Sequence, residues 1–169
     1  ATPATLYAAT GNAGVYKSID AGAAWERVNT GLIDTDVRAL AITPRTPTVL
    51  YAGTYSGMSR SSDGGATWSE FSLALPTGYQ IAQTGNEGPI FFSATEGILP
   101  VHLVMPTEPG GLSVFYRTSD GGATWTPGQV IHDGRVYDFR SSRDGAAWAN
   151  GQFYFTSDSG QTWGAVQPN

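Results

Sequence analysis

Apolar and polar residues alternate along the chain in short runs, and the runs are broken by Gly, Pro and Asp. Between residues 37 and 73 they read "VRALAIT", "TVLYAGT", "MSRSS" and "TWSEFSL", with turns at Pro44–Pro47, Ser56–Gly57 and Asp63–Ala66. Period-two runs rich in Val, Thr, Tyr, Phe and Trp predict antiparallel strands. No window carries apolar residues at sustained helical spacing. Residues 37–73 therefore predict one four-stranded sheet.

The same reading extends in both directions. "TLYAAT", "GVYKSID" and "AAWERVN" predict three strands before it. "YQIAQTG", "PIFFSAT" and "LSVFYRTSD" open a third unit, and "VYDFRSS", "GAAWANG", "QFYFTSD" and "TWGAVQ" form a fourth. Glu96–Gly111, "EGILPVHLVMPTEPGG", lies between the second and third runs of its unit and reads as an insertion. The units divide at residues 1–33, 34–75, 76–128 and 129–169. The prediction is an all-β, propeller-type fold of four repeated four-stranded antiparallel blades, the first lacking its first strand.

A motif recurs once per unit, with the pattern Ser/Thr-x-Asp-x-Gly-x-Thr-Trp. It comprises Ser61, Asp63, Gly65, Thr67 and Trp68; Thr118, Asp120, Gly122, Thr124 and Trp125; and Thr156, Asp158, Gly160, Thr162 and Trp163. A degenerate copy has Ser18, Asp20, Gly22, Ala24 and Trp25. The tryptophans are 43, 57 and 38 residues apart, against the ~40–45 residues of a propeller blade. "TPATLYAAT" also matches "TPTVLYAGT" at an offset of 44 residues. A chemical step needs its residues once, so four copies point to architecture. A turn Asp accepts backbone N–H groups two or three residues on. Gly tolerates positive φ, and Trp buries a large area while its indole N–H reaches a carbonyl. The four turns read as clasps, each offering one carboxylate, short of the oxygens that a calcium site gathers. No metal and no cofactor are assigned.

The motif resembles the Asp-box, or BNR repeat, of sialidases, some glycoside hydrolases, sortilin-type receptors and photosystem assembly propellers. The resemblance runs through essentially the whole chain by its period. It implies a β-propeller, and it leaves activity open because these families do unrelated things.

Composition narrows the function classes. The chain has 169 residues, 40% hydrophobic and 14% charged, enough apolar matter for a core. Its formal charge is −5 and its few basic residues are scattered, which excludes nucleic acid as a partner. It has no cysteine, so disulfides, thiolate metal sites and cysteine nucleophiles are excluded. No apolar run reaches the length of a membrane span. No signal peptide is visible, and the missing initiator Met suggests a processed or excerpted chain.

Clasps mark one end of each unit. The loops between second and third strands and the links between units mark the other, where binding tends to sit. Within Glu96–Gly111, Leu99, Val101, Leu103 and Met105 form a candidate apolar contact surface. The arginines Arg38, Arg60, Arg117, Arg135 and Arg140 show no arrangement for clamping a carboxylate. Asp34 and Asp36 share an inter-unit link on the loop-rich end, the nearest approach to the carboxylate pair of a glycosidase. His102 and His132 read as loop or surface residues. The expected function is a non-enzymatic extracellular or periplasmic binding or scaffold module, working through its loop face or an open blade edge. Its expected partner is another protein chain, a copy of itself, or the rest of a longer chain, completing the first blade, with a glycan as a further ligand. The alternative is a fragment of a carbohydrate-active propeller of the sialidase or xyloglucanase type.

Overall fold

The structure, a computed structural model, describes residues 4–44, 49–76, 83–84, 87–105, 108–134 and 136–166. The described residues contain strands in four antiparallel sheets and no helix. They form two compact units, each holding two of the sheets.

In the first unit, β1 (Leu6–Thr10), β2 (Gly14–Ser18) and β3 (Glu26–Arg27) make a three-stranded meander. β4 (Val37–Ile42), β5 (Leu50–Thr54), β6 (Gly57–Ser61) and β7 (Ser69–Glu70) make a four-stranded one. Among the described residues the first sheet holds three strands and none pairs on the outer side of β1, as its sequence predicts. In the second unit, β8 (Gln83–Thr84), β9 (Ile90–Phe91), β10 (Gly97–Met105), β11 (Glu108–Thr118) and β12 (Thr126–His132) form the third sheet. β13 (Val136–Phe139), β14 (Gly145–Ala149), β15 (Gln152–Thr156) and β16 (Gly164–Ala165) form the last.

The third sheet departs from the sequence reading, because Glu96–Gly111 is no insertion between strands. In every sheet the second strand begins opposite the clasp hydroxyl: Leu6 opposite Ser18, Leu50 opposite Ser61, Gly145 opposite Thr156. Gly97 stands opposite Thr118 in the same way, so β10 is the second strand and runs with β11 as a long hairpin. "PIFFSAT" contributes instead to the first-strand edge. Phe91 faces Gly97 as Phe139 faces Gly145, and in both cases a Cβ on the glycine would strike the Phe ring. That edge is split in two. β9 pairs with Gly97 and Ile98, and β8 pairs with Leu103 and Val104. Pro100 lies between, with no N–H to offer a neighbouring strand.

Each unit has its own core at the joint between its sheets. In the first, Trp68 packs with Val15, Val37, Leu50 and Ala52. Its indole N–H donates to the Val28 carbonyl (2.7 Å) and its backbone N–H to Thr30 (2.8 Å), both in the chain following β3. Gly31, at φ +82°, admits the Trp68 carbonyl so closely that a Cβ would lie 2.1 Å from it. In the second unit, Trp163 packs on Phe115 and Phe139 at ring separations of 5.0 and 5.8 Å. Its backbone N–H donates to Gln129 Oε1 (2.9 Å). Each of these tryptophans follows its own turn and reaches back to the sheet before it.

Trp25 sits in the first sheet, with no earlier sheet among the described residues, and is 43% exposed against 5% for Trp68. Two truncations should therefore differ. Trp68→Ala is expected to cost about 3–5 kcal/mol, and Trp25→Ala less than about 1 kcal/mol. Denaturant unfolding followed by circular dichroism measures both, and equal losses would contradict the joint described here.

Candidate functional site

The four acidic turns share one geometry. The hydroxyl closing the third strand donates to the Asp carboxylate and accepts the Gly N–H: Ser18 to Asp20 with Gly22, Ser61 to Asp63 with Gly65, Thr118 to Asp120 with Gly122, Thr156 to Asp158 with Gly160, all at 2.7–2.9 Å. Oδ1 also accepts the N–H four residues on, from Ala24, Thr67, Thr124 or Thr162, each at 2.9 Å. Oδ2 accepts the hydroxyls of Thr67, Thr124 and Thr162 at 2.6 Å. Ala24 has no hydroxyl, so the first clasp lacks this last bond.

Between Asp and Thr the chain makes two successive residues of positive φ. They are Ala21–Gly22, Gly64–Gly65, Gly121–Gly122 and Ser159–Gly160. Three of the leading members send their N–H across the end of their own sheet: Ala21 to Ala4, Gly121 to Thr95 and Ser159 to Arg143.

These bonds hold the carboxylates in their charged form. The Thr67 hydroxyl, then its N–H and the Ser61 hydroxyl, lower Asp63 to about 2. Burial pushes Asp120 up, but the Thr124 and Thr118 donors outweigh it and bring it to about 2. Asp158 is lowered by the same balance, and Asp20 by the Ala24 N–H and then the Ser18 hydroxyl. Each carboxylate is engaged within its own turn. Among the described residues no three His, Cys, Asp or Glu side chains gather as metal ligands would.

The apolar candidates of the sequence analysis lie elsewhere than expected. Leu99, Val101 and Leu103 are buried in β10, an interior strand of its sheet, and are unavailable to a partner. Met105 ends β10, and its side chain lies outside the described residues, as does Arg135. His102 stands 3.4 Å from the Ser113 hydroxyl, and His132 is exposed on β12.

A polar cluster does assemble at the loop end of the first unit. The link before β4 carries Asp34 and Asp36, and the β5–β6 turn carries Tyr55 and Ser56. The backbone joins them: Tyr55 N–H donates to the Asp36 carbonyl and Gly14 N–H to Thr35. Asp34 accepts the Ser56 hydroxyl (2.6 Å) and the Asp36 N–H (3.0 Å), and the N–H and then the hydroxyl lower its pKa. Asp36 pairs with Arg38 at 2.9 Å, and the Arg38 guanidinium sits 5.0 Å from the Tyr55 ring centre. The Tyr55 ring is exposed. Two carboxylates beside an exposed aromatic ring suit a neutral, hydroxyl-rich ligand, with hydroxyls donating to the carboxylates and a C–H face lying on the ring. Sequence reasoning found the Asp pair but missed Tyr55, whose signal was an aromatic residue at a turn position given to Gly, Asn and Ser.

A second surface lies on the last sheet. Trp148 and Phe153 meet edge-to-face at 4.5 Å beside a cleft of about 470 Å³ that Asn150, Gln152 and Val166 also line. Phe155 borders a smaller hollow of about 190 Å³ with Asp138, Arg140 and Asp144.

No family model matches the chain. It is 33% identical over 126 residues to a xyloglucanase from Hypocrea jecorina (strain QM6a), a stretch covering 74% of this chain and 14% of that protein. Its fold is similar to an ancestral GH74 enzyme (TM-score 0.66, 19% identity, 99% of this chain and 23% of that one). It is also similar to the extracellular domain of a putative one-component system from B. thetaiotaomicron (TM-score 0.65, 11% identity, 100% of this chain and 22% of that one). The chain thus spans less than a quarter of each of these proteins. The solved structures establish the β-propeller character of the fold.

The clasps generate two predictions. Asp63 and Asp120 lie near 2 when folded, against about 3.9 unfolded. Their contribution is therefore full above about pH 4 and is lost as pH falls through about 2. The denaturation midpoint should drop across that window, and less steeply in Asp63→Asn. Ala21 is a non-glycine residue at φ 60°, where the second and third clasps have glycine. Ala21→Gly should raise stability by up to about 1 kcal/mol in thermal or urea melts, and Gly64→Ala should lower it.

Proposed function

We propose that this chain is part of a carbohydrate-active propeller of the xyloglucanase type, its clasps the Asp-box repeat, and that the Asp34–Asp36–Tyr55 cluster contacts a neutral β-glucan. The observation that carries the reading is the 33% identity to a xyloglucanase over 126 residues. The alternative drawn from the sequence is thereby favoured over the non-enzymatic scaffold. The site chemistry agrees with a neutral polysaccharide. Its carboxylates are acceptors, and its one exposed cation, Arg38, is already paired with Asp36, which disfavours an acidic sugar.

The role proposed for these residues is substrate binding. Asp34 is ionised and stabilised in that state, so it serves as an acceptor; a glycosidase's acid carboxyl needs a raised pKa. A polysaccharide ligand of this class sets the place of action outside the cell. No helix among the described residues is long and apolar enough to cross a membrane.

Calorimetric titration with xyloglucan oligosaccharides tests the reading, with cello-oligosaccharides and a sialylated oligosaccharide as comparisons. Saturable binding of the neutral glucans is expected. Tyr55→Ala and Asp34→Asn should each weaken it about tenfold, the loss of roughly 1.4 kcal/mol. Absence of binding, preference for the acidic sugar, or indifference to both substitutions would refute it.

A further inference from the structure

The ladder between β4 and β5 is broken at one place. Val37 pairs with Thr54 and Ala39 with Gly53, so Arg38 is an extra residue in the register, a β-bulge. The corresponding pair in the last sheet, β13 with β14, runs from Val136 to Phe139 without a shift. A bulge bends its strand and re-aims the side chain that it carries. Here that side chain is a guanidinium, and it reaches two groups of the loop-end cluster.

The first is Asp36. Arg38 donates Nη2–H to Oδ2 at 2.9 Å, and its Nε–H stands 3.4 Å from Oδ1, so both carboxylate oxygens face one fork. The second is Tyr55, whose ring centre lies 5.0 Å beneath the guanidinium. The backbone ties the two partners together, because the Tyr55 N–H donates to the Asp36 carbonyl at 3.0 Å. Asp36, Arg38 and Tyr55 thus close a small ring of contacts: a backbone bond, an ion pair and a cation over an aromatic face.

A tyrosine ring on a turn has two faces and is free to change rotamer. With the guanidinium over one face, Tyr55 keeps the other for solvent, and the residue remains 54% exposed. The two carboxylates differ in the same sense. Asp36 is paired with Arg38, whereas Asp34 takes the Ser56 hydroxyl and the Asp36 N–H and has no ion pair among the described residues.

We infer that Arg38 is a positioning residue of the glycan site: clamped by Asp36, it covers one face of the Tyr55 ring and holds the ring so that a sugar stacks on the opposite face alone. The inference rests on the reading of this cluster as a glucan site and divides the work within it. Tyr55 and Asp34 supply the surface that the sugar meets, and Asp36 contributes through Arg38. A ring already held in its bound orientation loses less freedom when the ligand arrives, so the clamp raises affinity without touching the sugar.

Calorimetric titration of the intact chain with a xyloglucan oligosaccharide tests this through a double-mutant cycle. Arg38→Met, which keeps an unbranched side chain without its charge, should weaken binding about fivefold, and Asp36→Asn about as much. The double variant should bind no worse than Arg38→Met, because both changes release the same ring. Arg38→Lys keeps a cation without the fork and should recover part of the loss. The ligand is uncharged, so added salt acts on the clamp: affinity of the unaltered chain should fall from low to high salt, and that of Arg38→Met should not. Without ligand, the aromatic NMR signals of Tyr55, identified by their loss in Tyr55→Ala, should shift in Arg38→Met. Unchanged binding by Arg38→Met, losses that multiply in the double variant, or Tyr55 signals indifferent to Arg38→Met would overturn the inference and leave the glucan reading standing. An unaltered chain that binds no neutral glucan would overturn that reading and the inference with it.

Discussion

The carboxylate at each clasp is the constraint from which the rest of the structure follows. Two consecutive residues of positive φ reverse the chain between the third and fourth strands and leave N–H groups pointing into the turn. One Asp and one hydroxyl collect them: Oδ1 takes the side-chain hydroxyl and an N–H, Oδ2 takes a second hydroxyl, and the first hydroxyl accepts the Gly N–H. The turn fixes the residue that follows it, and that residue is the tryptophan. Trp68 can then donate its indole N–H to the Val28 carbonyl, and Trp163 its backbone N–H to the Gln129 carboxamide oxygen, each reaching back toward the preceding sheet. A local polar arrangement thereby determines a nonlocal apolar joint. A carboxylate whose oxygens are so engaged has little left to offer a substrate, which is why the most conspicuous acidic residues of the chain are the least suited to chemistry.

The strands and their order were legible in the sequence because alternation and turn residues are local signals. Gly97 and the residues after it were not. "GILPVHLVM" is a mostly apolar run interrupted by His102, close to the pattern of a strand covered on both faces, and it contains a proline, which argues against an interior strand. The structure reconciles the two: the proline falls where the neighbouring edge is split between β8 and β9, so no ladder bond is asked of it. The period alone could not reveal this, since a longer hairpin and an inserted loop lengthen the spacing between tryptophans equally. The buried state of Leu99, Val101 and Leu103 follows from the same fact.

The candidate site was half legible for a similar reason. Asp34 and Asp36 stand out as carboxylates in a link, but their partners come from a turn some twenty residues on, and only the fold brings Ser56 and Tyr55 to them. The clasps at one end use carboxylates to satisfy the backbone. At the other end Asp34 still takes a backbone donor from Asp36, yet it sits beside an exposed ring and an ion pair.

A repeat supplies its own control experiment. Where four turns share a pattern, a position that departs from it is informative in proportion to how well the others are explained. Ala24 lacks the clasp hydroxyl, so the first clasp is the weakest of the four. A weak clasp would be a liability at a joint that must hold its own sheet together, and the first clasp has no such joint among the described residues. Its Ile19 and Trp25 are exposed, where the corresponding Trp68 is buried.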